Sequence, residues 1–532
     1  MWNPINVKTT YSIQKGFCQP IKVAKRCKEK GFEACAINDI ENMSGVPEFH
    51  RACKENGVKP IIGCDFLDFS LFAKNKDGYF DLIQFTSDYN LGKVKLMALI
   101  KDVSSKGNVA CVIFQKSNLN NVCSKMFGKN FYEIDQKGVY YVDECDSEAH
   151  KVMVLSGMKA TFKNMRSVSK ERWDESNNAK FFESKDFYLK EDQNDLEKVR
   201  KLVDSCEDYE ITAKPMLPEF VCPDGISQDE YLKQLCREGW ASKLKWLSSS
   251  TEQTKQDYLN RITLEMDVVF KAELSGYFLI VSDIVRYVRE RGWIVGPGRG
   301  SAAGSLVSYL IGITSVDPIK HDLLFERFYN EGRNTKDNIS LPDIDLDVPP
   351  SHRDEVIDYI KSLFGEDKVA QVVTFSRLQG KSALKESLRV CGSVGFSEMN
   401  EITDQIPETQ EISDKISASG ESSVIMWALK NNVDNLKSWC FINSDDELQG
   451  SLSHEFDLAI KLEGAIKSKS THACGVVISK EKLSDICPVI DNKSGDPVAA
   501  FEMQDLESQG HVKFDILGLN VLTKIMEICN DG

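Results

Sequence analysis

The segment PDIDLDV (342–348) alternates acidic and apolar side chains, and it decides how the surrounding chain folds. In a β-strand, successive side chains point to opposite faces. Asp343, Asp345 and Asp347 would therefore share one face, while the intervening apolar residues pack into a core. Carboxylates about 7 Å apart on one face repel and raise one another's pKa, so such a face usually needs a cation. All-oxygen ligands of this kind favour Mg²⁺.

Two other interpretations of this segment stay open, namely an edge strand with a solvated acidic face and a Ca²⁺-binding loop. The EF-hand loop requires glycine at its sixth position and glutamate at its twelfth. Counted from Asp343, these positions hold Val348 and Asp354. The pattern therefore argues against an EF-hand, and the segment alone does not choose between a metal-binding strand and a solvated one.

A glycine-rich segment, WIVGPGRGSAAGSLVSYLIG (293–312), lies upstream of the acidic strand. Its pattern predicts a strand, a turn and a helix, with spaced glycines that allow positive φ and close approach of a ligand. We expect the helix to begin at Ser301, after Gly300, so that its first amides form an anion site. Arg299 adds a charged fork suited to phosphate. The Walker pattern GxxxxGK[ST] is absent, which argues against an ATPase loop.

A second acidic strand is predicted in HVKFDILGL (511–519). Lys513 and Asp515 would share one face, with apolar residues opposite. The pair could be a structural ion pair. It could equally be a third metal ligand beside a cation that faces substrate phosphates, and spacing alone does not choose between the two.

Length and pattern predict several domains. A chain of 532 residues is too long for one core, so we expect three or four domains. Residues 1 to about 215 alternate strands and helices, which favours a parallel sheet or barrel with helices outside. The clearest elements there are a helix at 20–30 and strands at 34–37 and 59–66.

Prolines and a glycine in 214–231 mark a linker, after which Ser227 is predicted to cap a helix, with Glu230 completing a capping box. Helical patterns follow at 232–270 and 393–458, and strands at 473–479 and 511–517.

Charge, cysteines and hydropathy exclude several classes of protein. The formal charge of −15 argues against simple wrapping of nucleic acid, although a local basic channel is compatible with it. The sixteen cysteines form no CxxC pair, so we expect reduced thiols and no zinc site. There is no secretory signal pattern, and the apolar stretch 277–285 is interrupted by Asp283 and too short to span a bilayer. We expect a soluble, cytoplasmic protein with no membrane partner.

Taken together, these segments resemble the alpha subunit of bacterial DNA polymerase III, a replicative polymerase of the C family. The order and approximate spacing of the motifs match over about 210–392 and 459–525. The motifs that carry the resemblance are YFLIVSDIV (277–285), VGPGRGSAAGSLVSY (295–309), DPIKHDLLFERF (317–328), PDIDLDV (342–348), RDEVIDYI (353–360), VAQVVTFS (369–376), THACGVVIS (471–479) and HVKFDILGLNVLT (511–523).

The resemblance implies a multidomain fold of α/β and α+β type, in which a PHP-type βα barrel precedes a polymerase-beta-like nucleotidyltransferase palm with a helical thumb. The implied limits are a PHP-like domain at 1–215, palm at 216–376 and 459–520, a thumb-like helical insertion at 377–458 and the start of the fingers at 521–532.

The resemblance also implies template-directed DNA polymerisation, with primer–template DNA and dNTP as substrates. Two Mg²⁺ ions, about 3.5–4 Å apart in such sites, would activate the primer 3′-hydroxyl and neutralise the triphosphate. Asp347 would complete the motif and orient its neighbours. The implied catalytic and metal-binding residues are Asp343, Asp345 and Asp515, and the implied nucleotide-binding residues are Gly300, Ser301, Arg327 and Lys513.

The N-terminal region resembles the PHP domain of the same family through TTYSIQKGF (9–17) and residues 37–66. Metal-binding members carry histidines where this sequence has Asn6, Lys8 and Ile40. Residues 1–215 contain only His50 and His150, too few for a multinuclear imidazole site. We therefore expect a metal-free, structural domain.

Family members continue past the KFDILGL strand with fingers, a clamp-binding segment and further domains, so we expect this chain to need a C-terminal polymerase fragment on another chain and other replisome subunits such as a sliding clamp. A polar loop, EGRNTKDNIS (331–340), precedes the acidic strand.

The alternatives to a polymerase are a non-catalytic replication scaffold fragment and a PHP-type phosphoesterase. The roles of two further residues stay open. Arg353 is expected either to contact DNA or phosphate, or to lie on a solvated helix face. His472 is expected to be a half-buried, hydrogen-bonded histidine.

Overall fold

The computed structural model describes residues 3–115, 117–163, 193–329, 342–492 and 495–530. Residues 164–192 and the loop predicted at 331–340 lie outside the described residues. By its internal contacts the chain divides into two units. The first comprises 1–211 and 374–470, and the second comprises 212–373 and 471–532.

The strands and helices alternate along much of the chain, which is therefore of mixed α and β composition. The strands are β1 Ala34–Ile40, β2 Lys59–Asp65, β3 Ser70–Ala73, β4 Val109–Ile113, β5 Phe131–Glu133, β6 Asp345–Val348, β7 Val369–Arg377, β8 Phe441–Ile442, β9 Leu448–Gln449, β10 Ile466–Ile478, β11 Val489–Asp491, β12 Pro497–Ala499 and β13 Val512–Gly518. The helices are α1 Pro20–Glu29, α2 Val46–Asn56, α3 Lys76–Leu91, α4 Leu96–Lys106, α5 Asn120–Phe127, α6 Ser147–Gly157, α7 Gln193–Ser205, α8 Gln228–Lys243, α9 Glu252–Lys271, α10 Ser275–Glu290, α11 Leu306–Leu310, α12 Arg353–Phe364, α13 Gly380–Cys391, α14 Phe396–Asp404, α15 Thr409–Ser419, α16 Val424–Asn431, α17 Val433–Leu436, α18 Ser453–Leu462, α19 Leu483–Ile486, α20 Met503–Ser508 and α21 Asn520–Asn530.

The first unit contains a five-stranded sheet in the order β1-β2-β3-β4-β5. Helix α1 and strands β1 and β2 confirm the elements predicted from the pattern at 20–30, 34–37 and 59–66. The all-parallel pairing was wrong, because β2–β3 and β3–β4 are antiparallel while β1–β2 and β4–β5 are parallel. Only four residues connect β2 to β3, too few for the crossover that a parallel pair needs. Closure into a barrel stays a prediction.

The helical segment after β7 belongs to the first unit. Helices α13 and α18 contribute Leu384, Leu388 and Phe456 to a core that also contains Val152 and Leu155 of α6. The two parts are also joined by a hydrogen bond from Ser156 Oγ to Glu386 Oε1 of 2.7 Å. The segment predicted at 377–458 as a thumb-like helical insertion therefore shares a core with the N-terminal region.

Lys8 is buried in the first unit, with 1% of its surface exposed. Its Nζ lies 2.7 Å from Asp65 Oδ2 and donates hydrogen bonds to Asn38 O at 2.7 Å and Asn6 Oδ1 at 3.1 Å. Three acceptors thus surround the ammonium group, and a buried charge is tolerated only with such partners.

The two histidines of this region bond to backbone carbonyl groups. His50 Nε2 lies 2.9 Å from Tyr209 O, and His150 Nε2 lies 2.6 Å from Lys15 O. Burial lowers the pKa of His150 to about 4, so its ring is neutral at pH 7. Both rings have packing roles in the first unit.

The second unit contains a six-stranded sheet in the order β11-β12-β7-β10-β13-β6. Strands β10 and β13 confirm the strand character predicted at 473–479 and 511–517. The helical stretch predicted at 232–270 is two helices, α8 and α9, separated by a 3₁₀ turn at Lys245–Ser249. Ser227 caps α8, accepting a hydrogen bond of 3.3 Å from Glu230 N.

Helix α10 packs on this sheet, and every residue from Ser275 to Val285 is buried. Tyr277 stacks on Phe514 of β13 with 5.3 Å between ring centroids. Its hydroxyl accepts a hydrogen bond from Ile344 N at 3.3 Å. One side chain thus fixes the helix against both acidic strands. In the described part of the chain, every helix is too short or too polar to cross a bilayer.

We predict that Lys8→Met destabilises the first unit by about 3–5 kcal/mol, because it leaves the Asp65 carboxylate without its buried partner. Hydrogen exchange of peptides covering β1 and β2 measures this loss as faster exchange. Lys54→Met is the control, since Lys54 pairs with Asp208 on the surface and such pairs contribute about 1 kcal/mol or less. Equal exchange in wild type and Lys8→Met would contradict the role of the ammonium group.

Candidate metal and nucleotide site

The site is built on the parallel pairing of β6 with β13. Asp345 lies opposite Asp515 in the register of the two strands. The alternate residues Leu346 and Phe514 are 3% and 2% exposed and face the core. The alternation predicted for both strands is therefore present, and it directs the two aspartates to the same face of the sheet.

Three carboxylates meet at this point. Oxygen atoms of Asp343, Asp345 and Asp515 all lie within 4.8 Å of one another. Asp515 Oδ1 is buried and has no hydrogen-bond partner among the described residues. A buried carboxylate oxygen normally has a partner, and a divalent cation would provide one. The all-oxygen donor set fits Mg²⁺ or Mn²⁺.

Lys513 lies beside the same cluster. Its Nζ is 3.0 Å from Asp515 Oδ2 and 3.8 Å from Asp343 Oδ1, with Glu507 Oε1 at 3.9 Å. Burial disfavours the charge, but the hydrogen bond to Asp515 and the neighbouring carboxylates outweigh burial and raise the pKa of Lys513. The ammonium group is therefore positively charged at neutral pH, at the edge of the cluster.

The surroundings of Asp343 and Asp345 disfavour the negatively charged form of both carboxylates. Burial raises the pKa of Asp343 and of Asp345, and the neighbouring aspartates raise both further. The cations Lys513 and Arg299 act in the opposite direction. The predicted mutual repulsion is therefore present, with burial as the larger cause.

Asp347 lies apart from the cluster and beside the glycine segment. Arg299 bridges the two, with Nη2 3.4 Å from Asp345 Oδ2 and Nε 3.6 Å from Asp347 Oδ1. Gly296 N donates to Asp347 O at 3.0 Å, and a Cβ at Gly296 would lie 2.7 Å from that of Asp347. Arg299 is thus already engaged by carboxylates, and it connects Asp347 to the cluster.

The glycine segment differs from its predicted form. No strand is present at 293–296, and Gly300–Gly304 forms a 3₁₀ turn with Ser301 inside it. Gly300 has a φ of 65°, which favours glycine, and a Cβ there would lie 3.7 Å from Asp345 Oδ2. The turn therefore lies directly beside the carboxylates, as a nucleotide-binding turn would require.

The predicted start of an α-helix at Ser301 was wrong. Helix α11 begins only at Leu306, and its first amides are taken by a carboxylate of the chain itself. Glu265 accepts hydrogen bonds from Leu306 N at 2.9 Å and Val307 N at 3.0 Å. Any phosphate at this turn would have to use the Gly300–Ser301 segment instead.

Comparison with known proteins matches family models to two regions of the chain, one N-terminal and one that contains the carboxylate cluster. Residues 230–518 match the model of the bacterial DNA polymerase III alpha NTPase domain, and residues 5–206 match that of the PHP domain. The chain belongs to the bacterial DNA polymerase III alpha family. The similarity to that family predicted from the motifs is therefore confirmed.

Three family members illustrate the similarity, each named DNA polymerase III subunit alpha. The Bacillus subtilis (strain 168) protein is 30% identical over 98% of this chain and 49% of its own length. The Aquifex aeolicus protein is 28% identical over 98% and 51%, and the Pseudomonas aeruginosa protein is 29% identical over 99% and 48%. The chain spans about half the length of the curated relatives that it matches.

Three other residues singled out by the motifs have distinct surroundings. Arg327 is exposed at the end of a 3₁₀ turn, Phe325–Arg327, and the described contacts do not join it to the carboxylates. Arg353 Nε donates to Ile516 O at 2.9 Å, so this side chain holds β13 and does not lie on a solvated helix face. His472 Nδ1 accepts from Cys474 N and Gly475 N at 3.2 and 3.0 Å, as expected of a half-buried histidine.

Two buried residues of the site had no predicted role, namely Glu265 and Tyr277. The spacing of Arg261 and Glu265 was a signal, because residues four apart meet on one helix face. Exposed helix pairs have the same spacing, so the sequence does not distinguish a surface pair from a buried one.

We predict that Asp515→Asn weakens Mn²⁺ binding by about tenfold or more, since loss of a charged ligand costs at least as much as loss of an outer-shell partner. Electron paramagnetic resonance titration of free Mn²⁺ measures the affinity. Asp354→Asn is the control, because Asp354 is exposed on α12. Unchanged Mn²⁺ affinity in Asp515→Asn would show that the cluster is not a metal site.

Proposed function

We propose that this chain is the catalytic part of a DNA-directed DNA polymerase, which transfers a nucleotidyl group from dNTP to a primer 3′-hydroxyl. The observation that carries the proposal is the meeting of Asp343, Asp345 and Asp515 within 4.8 Å beside a glycine turn. The family of the chain supports the reaction class. In this proposal 216–376 and 459–520 form the palm, 377–458 the thumb and 521–532 the start of the fingers.

The three aspartates would hold two Mg²⁺ ions. The chemistry that bound Mg²⁺ supplies is a lowered pKa of the primer hydroxyl and neutralisation of charge on the triphosphate. Because Asp345 lies beside both the other two carboxylates and the glycine turn, it would be a metal ligand close to a nucleotide held at that turn. Asp343, whose side chain is 60% exposed, is the ligand most open to substrate.

The glycine turn would position the triphosphate. Gly300 and Ser301 offer backbone amides and a hydroxyl, and the absence of a Cβ at Gly300 allows close approach to the turn. Lys513 would offset negative charge that develops on the phosphate during transfer. Arg327 is exposed at the end of its 3₁₀ turn, so its guanidinium group would be available to the triphosphate.

We further propose that the PHP-like region, 1–215, has a structural role. The observation in favour is the Lys8 ammonium group, which already neutralises Asp65 inside the region. Mn²⁺- or Zn²⁺-dependent phosphoesterase activity in the full chain carrying Asp345→Asn would overturn this.

We predict that Asp345→Asn lowers primer extension by about 10³-fold or more, since removal of even one donor to developing charge costs 10²–10³. Extension is measured with Mg²⁺, primer–template DNA and dNTP. The relatives are about twice as long as this chain. Each reaction is therefore run with and without a separately supplied polypeptide that corresponds to the part of the relatives not matched by this chain. Each is also run with and without a sliding clamp.

Circular dichroism melting of Asp345→Asn is expected at or above the wild-type midpoint, because one of the mutually repelling charges is removed. Asp354→Asn is expected to extend primers normally. Wild-type-like extension by Asp345→Asn would refute the assignment. A wild-type chain that binds Mn²⁺ but extends no primer under any of these conditions would favour the scaffold alternative.

A further inference from the structure

A buried ion pair lies behind the glycine turn. Glu265 is fully buried, and besides the two amides of α11 it accepts a hydrogen bond from Ser305 Oγ at 3.0 Å. Ser305 in turn caps α11 through Ser308 N at 3.1 Å. The carboxylate therefore fixes the residues that directly follow the Gly300–Gly304 turn.

Arg261 extends this link to a second segment. Its Nε lies 2.6 Å from Glu265 Oε1, and its Nη2 donates to Gly304 O at 2.5 Å and Leu323 O at 3.0 Å. The guanidinium also lies 5.8 Å from the ring centroid of Phe325. One planar group thus spans the end of the glycine turn and the start of the segment that carries Arg327.

We propose that Arg261 and Glu265 are positioning residues for the incoming nucleotide, holding the turn at Gly300–Ser301 and the turn at Phe325–Arg327 at one fixed separation. The inference rests on the proposed function, because it takes both turns to be nucleotide-binding. Glu265 is fully buried and the Arg261 side chain is 17% exposed, so they act through the backbone that they hold.

The pair is suited to positioning more than to stability. Replacing a buried ion pair by apolar residues is often neutral for stability, so such pairs are not explained by stability alone. Here the charges bind four backbone groups from two separate segments, which fixes the segments relative to each other. Two turns that contact one triphosphate need a well-defined spacing, because a displacement of about 1 Å in such a site can cost about 10²-fold in rate.

The first test is Glu265→Gln, which keeps the size of the side chain but removes its charge and replaces one acceptor oxygen by an NH₂ group, which then faces the amide of either Leu306 or Val307. We expect nucleotide affinity to fall about tenfold or more, since hydrogen bonds to charged groups are lost and donors oppose donors. Mn²⁺ affinity at the carboxylates should stay within about twofold, since none of the three ligands is touched.

The readouts are fluorescence polarisation of methylanthraniloyl-dATP with Ca²⁺, and electron paramagnetic resonance titration of Mn²⁺, both on the full chain. Glu252→Gln is the matched control, because Glu252 is 89% exposed on the same helix. It should bind both ligands as the wild type does. A purely structural role would lower both affinities together or neither.

The second variant, Arg261→Lys, keeps a positive charge beside Glu265, but a single ammonium group cannot reach Gly304 O and Leu323 O in the same geometry. Arg261→Lys should also weaken nucleotide binding. If Glu265→Gln fails to fold, the nucleotide affinity of Arg261→Lys tests the positioning role by itself. Nucleotide affinity equal to wild type in the folded variants would overturn the positioning role. A wild-type chain that binds Mn²⁺ but no nucleotide would instead overturn the proposed function.

Discussion

Electrostatic repulsion among Asp343, Asp345 and Asp515 is the constraint on which the second unit depends. Nothing in isolated strands would bring these groups within 4.8 Å of one another. The backbone pairing of β6 with β13 forces the approach, and apolar side chains on the opposite face provide the free energy that holds it. Lys513 and Arg299 offset part of the repulsion at opposite sides of the cluster. The remaining negative charge makes the cluster receptive to a divalent cation.

The two units use positive charge in different ways. In the first, the Lys8 ammonium group is covalently part of the chain and its acceptors are satisfied. In the second unit, the buried Oδ1 atom of Asp515 has no hydrogen-bond partner among the described residues. Lys8 satisfies Asp65 in the first unit, whereas Asp515 has an unsatisfied oxygen even though Lys513 pairs with its other oxygen, and a cation could satisfy it. This contrast supports the proposed structural role of the first unit and the proposed catalytic role of the second.

The sequence predicted the site better than it predicted the surrounding backbone. Period-two alternation identified β6 and β13 and the face of each aspartate, because burial on one face imposes that period. The family motifs, and not the alternation, connected Asp515 to Asp343 and Asp345. The helix start at Ser301 was wrong because Glu265, distant in sequence, satisfies the amides one turn later. The mixed direction of the first sheet was missed because the βα rhythm concealed the short connection between β2 and β3.

The pairing of β13 with β6 also limits which changes of chain length the protein can accept. Side chains of a strand alternate with a period of two, so removing Lys513 while Val512 keeps its place would exchange the faces of all the residues that follow. Phe514 would turn to the carboxylate face, and Asp515 would enter the apolar core. Substitutions at these positions alter single groups, whereas a one-codon deletion would reverse every side chain after it. Natural variation in this strand should therefore consist of replacements and not of gaps.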